Sequence, residues 1–238
     1  MALKKVTPNS DMYQWISHTW SPVKGSCPYG CSYCYVGRWG NNNRAFRLDE
    51  RELRTDLGIG NFIFICSGCD LFHPDVPEGW IGKVMERTYS DLGSDNRFLY
   101  HTKNPERAVE MYDKYLPKLG SVLCVTVESN IPRPGISKAP QPHDRIRYLN
   151  QWPGDRMITI EPIMDFNLMM FSDMVLGCDP VQVNIGADSG DNHLPEPSGE
   201  EVEALINVLA PHIKVHLKKN LRRLLPRHRL YGVQGGEK

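Results

Sequence analysis

The stretch "SCPYGCSYCYVG", residues 26–37, places Cys27, Cys31 and Cys34 in the spacing C-x3-C-x2-C and supplies no fourth cysteine nearby. The count of three is informative. A structural zinc site takes four ligands, and so does an ordinary four-cysteine iron–sulfur cluster. Three thiolates leave one coordination position open for something other than protein. A rival arrangement uses Cys66 and Cys69 of "CSGC": with Cys31 and Cys34 they make two C-x2-C pairs, formally a four-thiolate zinc site. That arrangement leaves Cys27 without a role and sets 31 residues between the pairs. It also takes Cys66 from the end of an apolar run rather than from a loose knuckle.

The elements that must position these residues are legible as alternating runs. Strands are expected near 13–20 and at 62–66, 97–102, 121–128, 156–163, 181–187 and 213–218. Helices are expected at 46–56, 78–91, 105–117, 143–151, 166–175 and 199–209. The segment "PSGEEVEALINVLA" shows a helix start most plainly, with Ser198 as cap and acids in the first turn. Strand–helix alternation predicts βαβ units, and the nearly continuous apolar strands predict a parallel sheet covered on both faces. Six or seven units are too few for a closed eight-fold barrel. The expected fold is therefore α/β, a partial (β/α)6-type TIM barrel forming one domain over 1–238.

Chemistry in such folds collects where strands end. The polar residues there are Ser67 and Asp70, His101 and Lys103, Thr126 and Glu128, Glu161, Asn184 and Asp188, and Lys218. The proline-rich loop 129–144 reads either as a lid or as a long connection. Lys+Arg and Asp+Glu are 28 each, so the whole chain is no polyanion binder. Its segment 211–230 is nevertheless basic, with Lys218, Lys219, Arg222 and Arg223 as candidate phosphate contacts. Trp15, Trp20, Trp39 and "NNNR" (41–44) are candidate contacts for bases. No apolar run reaches the roughly 18 residues of a membrane helix. The seven cysteines do not form a secreted disulfide framework, so a cytoplasmic protein without a membrane partner is expected.

The cysteine loop resembles that of the radical SAM superfamily, C-x3-C-x2-C after a first strand, with an aromatic residue (here Tyr33) before the third cysteine. The resemblance implies the radical SAM fold and a [4Fe–4S] cluster on Cys27, Cys31 and Cys34. Its fourth iron would chelate S-adenosylmethionine (SAM), and reduction by an external flavodoxin- or ferredoxin-type donor would release a 5′-deoxyadenosyl radical. "DLFHPDVP", "TKNPER", "VTVES", "TIEPI" and "VNIGADSG" resemble a phage-associated family of radical SAM proteins distantly similar to spore photoproduct lyase. This chain departs from that family in carrying Cys66 and Cys69 before "DLF", where small residues are usual.

Carried over position by position, the resemblance implies cofactor contacts at Tyr33, Ser67, Gly68, Asp70, Thr126, Glu128 and Asn184. It implies catalytic or substrate roles for Lys103, Glu161 and Cys69. Cys66 reads as a small buried hydrophobe and Cys69 as a loop residue, or Cys69 as a hydrogen-atom donor or a ligand to a second cluster. Cys124 and Cys178 read as core. The implied substrate is a nucleotide or DNA, with isomerisation or cleavage of a hypermodified, amino-acid-bearing thymidine of phage DNA as the leading reaction. The alternatives are a radical SAM lyase of DNA lesions, a peptide modifier, and a non-enzymatic zinc-bearing DNA-binding protein.

Overall fold

A computed structural model describes residues 3–7, 10, 12–39, 44–91, 93–115 and 120–225, the side chains of 38 and 39 excepted. Its strands are β1 (Lys4–Lys5), β2 (His18–Trp20), β3 (Val23–Lys24), β4 (Arg47–Leu48), β5 (Phe62–Ile65), β6 (Arg97–Thr102), β7 (Val122–Thr126), β8 (Asp155–Ile160), β9 (Gln182–Ile185) and β10 (Lys214–Leu217). Its helices are α1 (Glu50–Leu53), α2 (Glu78–Tyr89), α3 (Pro105–Tyr115), α4 (Pro142–Leu149), α5 (Leu168–Leu176) and α6 (Gly199–Leu209). One sheet runs in the order β1-β2-β5-β6-β7-β8-β9-β10. β1 pairs antiparallel with β2, and every later pairing in it is parallel. This is the open, partial α/β barrel expected from the alternation. Ser198 caps α6 through a reciprocal box with Glu201, as the sequence predicted.

The two-residue period of a strand sorts side chains onto two faces. Ile63, Ile65, Phe98, Tyr100, Leu123, Val125, Ile158 and Ile160 belong to the large core cluster shared with the helices. Phe64, Leu99, Val122, Cys124 and Met157 belong to a second cluster on the opposite, inner face. Tyr13 and Ile16 plug that face, and Trp15 stacks on Tyr13 at 5.0 Å. Following the same inner rows toward the strand ends, apolar residues give way to polar and then charged ones. The rows are Leu99–His101–Lys103, Val122–Cys124–Thr126–Glu128 and Met157–Thr159–Glu161. Register sets Thr126 beside Thr159, Thr159 beside Asn184 and Asn184 beside His216.

Three sequence expectations change. The strand expected near 13–20 is confined to His18–Trp20, and Tyr13 and Ile16 precede it. The segment 46–56 is not one helix: Arg47 and Leu48 extend to pair with Val23 and Lys24, leaving a single turn, α1. Asp49 ends the strand and caps that turn through Arg51, while Lys24 reaches Asp49 at 2.8 Å and Glu52 at 3.0 Å. Nor do Trp15 and Trp20 present rings for bases. Trp20 is buried and donates to the Glu52 carbonyl, and Trp15 packs on Phe62 among the starts of the strands, away from the charged edge. Trp39's side chain and residues 41–43 lie outside the described residues. Cys124 and Cys178 are core, as expected.

The plug is testable through Tyr13, whose hydroxyl lies 2.6 Å from the Thr159 hydroxyl inside the barrel. Tyr13→Phe should cost about 1 kcal/mol, one net hydrogen bond. Tyr13→Ala should cost about 3–5 kcal/mol, because it also opens a cavity beneath Trp15. Urea unfolding of the two variants checks the ratio, and equal small losses would mean that the segment does not fill the barrel.

Candidate cofactor and active site

The cysteine loop leaves β3 and runs into a 3-10 turn at Tyr35–Trp39. Cys27, Cys31 and Cys34 are half-buried free thiols. Gly30, at φ +58, takes a left-handed conformation that glycine adopts without strain. Cys34 N donates to Cys31 O at 3.0 Å, closing the turn that brings those two residues around. Burial, then the neighbouring Asp70 charge, pushes the Cys27 thiol up to about 12. It is a neutral thiol until a metal centre displaces its proton.

The proline-rich loop is neither a detached lid nor an idle connection. Its Ile136 carbonyl accepts from Ser32 N (2.9 Å), and its Lys138 N donates to Tyr29 O (2.8 Å). Ser137 Oγ lies 3.1 Å from Cys31 Sγ. The loop buttresses the cysteines.

A buried ion network stands behind them. Glu128, just beyond β7, accepts from the Tyr33 hydroxyl and from Arg145 Nη1 at 2.9 Å, and lies 3.0 Å from Lys103 Nζ. Lys103 Nζ also reaches Cys31 Sγ at 3.1 Å and sits 4.4 Å from the centre of the Tyr33 ring. Arg145, on α4, further donates to the carbonyls of Thr126 (2.8 Å) and Pro140 (2.6 Å). Burial alone would raise the Glu128 carboxyl, but Lys103 and Arg145 outweigh it and hold it down at about 2. Burial would likewise lower Lys103, yet Glu128 and Cys31 raise it on balance. Tyr33, Lys103 and Glu128 thus bond to one another, and Lys103 to Cys31, contacts that the sequence did not indicate. Arg145 was missed, because a lone arginine in a polar helix reads as solvated surface until the fold shows what it faces.

A second charged group lies on the adjoining row, just beyond β8. Glu161 pairs with Lys218 at 2.5 Å and accepts from Asn220 at 3.1 Å. A Cβ at Gly186 would come within 2.7 Å of the Glu161 carboxylate, so a larger residue there would displace that side chain. Deeper along the inner rows the lining is neutral. Asn184 is fully buried and bonded to Gln182 and Thr159, and Thr126 is bonded to His101. Burial, then Lys103 and Lys218, lowers His101 to about 3, so its ring is uncharged. Asn184 and Thr126 therefore shape the barrel lining.

Asp70 is engaged within the protein. Its oxygens accept from Phe72 N (3.0 Å), Thr102 Oγ1 (2.7 Å) and Lys103 N (2.8 Å), clamping the loop after β5 to the end of β6. Asp188 is spent in the same way on Gly190 and Asn192. In the basic segment, Arg223 is bound to Glu196 and to the Asp188 carbonyl and Lys218 to Glu161, so neither is a free phosphate contact. Lys219 and Arg222 are exposed, and residues 226–230 lie outside the described residues.

Ser67 and Gly68 follow β5, beside the cysteine loop, where the Tyr35 hydroxyl donates to the Ser67 carbonyl. Gly68 has no left-handed φ, and a Cβ there would meet no heavy atom within 4 Å. Nothing within the protein requires glycine at 68. The open space before it, next to three thiols, suits the close approach of a bound group to the backbone. No three His, Cys, Asp or Glu side chains among the described residues converge to hold a single ion. A [4Fe–4S] cluster takes one thiolate per iron, and three free, half-buried thiols on one loop are a donor set of that chemistry.

Comparison with known proteins bears on fold and family. The model of a family described as "Protein of unknown function (DUF5131)" matches residues 10–197. No curated protein matches the sequence. A tyrosine-to-phenylalanine mutant of spore photoproduct lyase aligns at TM-score 0.63 and 7% identity, covering 91% of this chain and 80% of its own. A cysteine-to-serine mutant of that enzyme gives 0.61 and 9% over the same shares. A double mutant with bound AdoMet and dinucleoside spore photoproduct gives 0.54 and 10%, covering 89% of this chain and 67% of its own. The likeness is one of fold, and the fold is the radical SAM type that spore photoproduct lyase has.

The ion network predicts a pH signature. Glu128 is held below its ordinary 4.5, so its contribution is fully present above that value and is lost as pH falls toward 2. Glu128→Gln should cost about 3 kcal/mol at pH 7, since it leaves Lys103 and Arg145 buried without their partner. The deficit should shrink steadily on acidification from pH 5 to 3. Thermal melts of both proteins across that range check it, and a pH-independent deficit would remove the carboxylate from the network's centre.

Proposed function

We propose that this chain, which belongs to the DUF5131 family, is a radical SAM enzyme acting on a nucleotide or DNA. The observation that carries the reading is the juxtaposition of three free, half-buried thiols with the open backbone at Gly68, at the strand ends of a partial α/β barrel. Cys27, Cys31 and Cys34 would hold a [4Fe–4S] cluster, and Ser67 and Gly68 would receive the methionine end of SAM. When bound, the pair supplies a 5′-deoxyadenosyl radical able to break an unactivated C–H bond, with an electron drawn from a flavodoxin- or ferredoxin-type donor.

The chain's own residues then position and enclose. Asp70 fixes the turn that carries Ser67 and Gly68. Lys103, Glu128 and Tyr33 hold the loop at Cys31. Thr126 and Asn184 line a neutral interior, and Glu161 with Lys218 offers a paired acceptor and donor to a substrate entering the mouth. Cys69, half-buried on the turn after β5, would return a hydrogen atom from its S–H bond to a substrate radical. The leading reaction is isomerisation or cleavage of a hypermodified, amino-acid-bearing thymidine in phage DNA, in a cytoplasmic setting. A DNA-lesion lyase is the second reading, supported by the fold shared with an enzyme whose structures hold dinucleoside spore photoproduct.

The test is anaerobic incubation with reductant, SAM and candidate nucleosides or modified DNA, read for 5′-deoxyadenosine and for substrate change. We expect 5′-deoxyadenosine to form and its yield to rise with the true substrate. An isomerisation would shift the substrate's retention without changing its mass. Gly68→Val should leave iron content intact and weaken SAM binding roughly ten- to a hundredfold, the loss of about 1.5–3 kcal/mol of charge-assisted contact. Unchanged SAM affinity in Gly68→Val would move the cofactor to another part of the barrel edge.

A further inference from the structure

Cys66 and Cys69 stand outside the three-cysteine loop and have no part in the ion network. β5 ends at Ile65, and Cys66 turns into the left-handed region at φ +55. A non-glycine residue there carries a conformational cost on the order of 1–2 kcal/mol. The bend folds residues 67–69 back, so that Cys69 N donates to Cys66 O at 3.1 Å. That i to i+3 hydrogen bond closes a β-turn, which holds its end Cα atoms within about 7 Å. A disulfide spans Cα separations of about 4.4–6.8 Å, so the backbone already brings the pair to bridging range.

Cys69 Sγ is turned toward the Val23 carbonyl, 3.4 Å away. Both are free thiols, Cys66 at 2% exposure and Cys69 half-buried. One sulfur is thus reachable and the other waits behind it. Exchange needs access to the attacking sulfur, which Cys69 has, and a thiolate, which its neighbour Cys66 and burial disfavour by raising the Cys69 thiol, so the reaction quickens as pH rises.

We propose that Cys66 and Cys69 form a reversible dithiol–disulfide couple that exchanges with small-molecule disulfides of the glutathione class. The Cys69 sulfur attacks the incoming disulfide, forming a mixed disulfide and releasing one small thiol. The Cys66 sulfur then attacks the Cys69 sulfur, forming the internal S–S bond and releasing the second small thiol. Two S–H bonds of the protein are lost, their two protons go to the released thiols, and two electrons reduce the small disulfide. Closure also removes the Cys69 S–H bond. Where Cys69 serves as hydrogen-atom donor, a consequence that rests on the function proposed above, the oxidised form cannot perform that step. The couple itself stands independently of that function.

The test uses the whole protein with its cluster, incubated without oxygen with oxidised glutathione, then alkylated and digested with trypsin. The peptide 55–83 carries Cys66 and Cys69 and no other cysteine, so the cluster loop does not contribute. We expect this peptide unalkylated and two hydrogen masses lighter, with both alkylation sites restored by dithiothreitol. In Cys66→Ser a glutathione adduct should accumulate on Cys69, and in Cys69→Ser the buried Cys66 should stay unmodified. Wild-type peptide that takes two alkyl groups, or that accumulates the adduct as Cys66→Ser does, overturns the couple. The wild-type result decides alone if either variant fails to fold.

Discussion

The arrangement of the mouth depends on one buried carboxylate. Glu128 lies between the charges of Lys103 and Arg145, all three almost wholly removed from water. Desolvating charges is costly, and the cost is recovered only when every partner is in place. The network therefore couples the ends of β6 and β7, α4, the cysteine loop through Tyr33 and Cys31, and the proline-rich loop through Pro140. A loop of twelve residues rich in turns would have little reason to keep one conformation by itself. Tied at Cys31 by Lys103 and Ser137, and at its backbone by Ile136 and Lys138, it holds its thiols ready.

The inner rows of the sheet explain how one barrel serves both stability and chemistry. Near the strand starts they are apolar and plugged by Tyr13 and Ile16. In the middle they carry hydroxyl, amide and neutral imidazole groups that satisfy one another. At the ends they carry charges, paired within the protein as Glu128 with Lys103 and Arg145, and Glu161 with Lys218. The mouth thus has polar groups but little unpaired charge, a setting in which a reactive intermediate is shielded from water and from stray acids and bases. The fold shared with spore photoproduct lyase agrees with the mostly parallel frame on which these rows lie.

Much of this was legible in the sequence, for physical reasons. The parallel strands announce themselves because both faces are buried, and α6 because Ser198 and Glu201 form a local box. The cysteine loop is legible because ligand spacing is a property of the chain itself. What was not legible depends on partners distant in sequence. The segment 46–56 has helical charges, but its first half is claimed by Val23 and Lys24. Asp70 reads as a ligand-binding acid, and only the fold shows that it also accepts from Thr102 and Lys103. Arg223 looks like a phosphate contact until Glu196 is found beside it, and Arg145 looks like surface until Glu128 appears beneath it. In each case the residue type was read correctly and its partner was supplied by the fold.

The central claim is that Cys27, Cys31 and Cys34 alone hold a cluster with one open iron. Iron, sulfide and zinc analysis of anaerobically reconstituted protein, with electron paramagnetic resonance of the reduced form before and after SAM, tests it most directly. The account predicts about four irons and four sulfides per chain. It also predicts a reduced-cluster signal that changes on adding SAM, and loss of both iron and signal when the three cysteines are replaced by alanine. Full iron content in that triple variant, or stoichiometric zinc in the wild type, would contradict it.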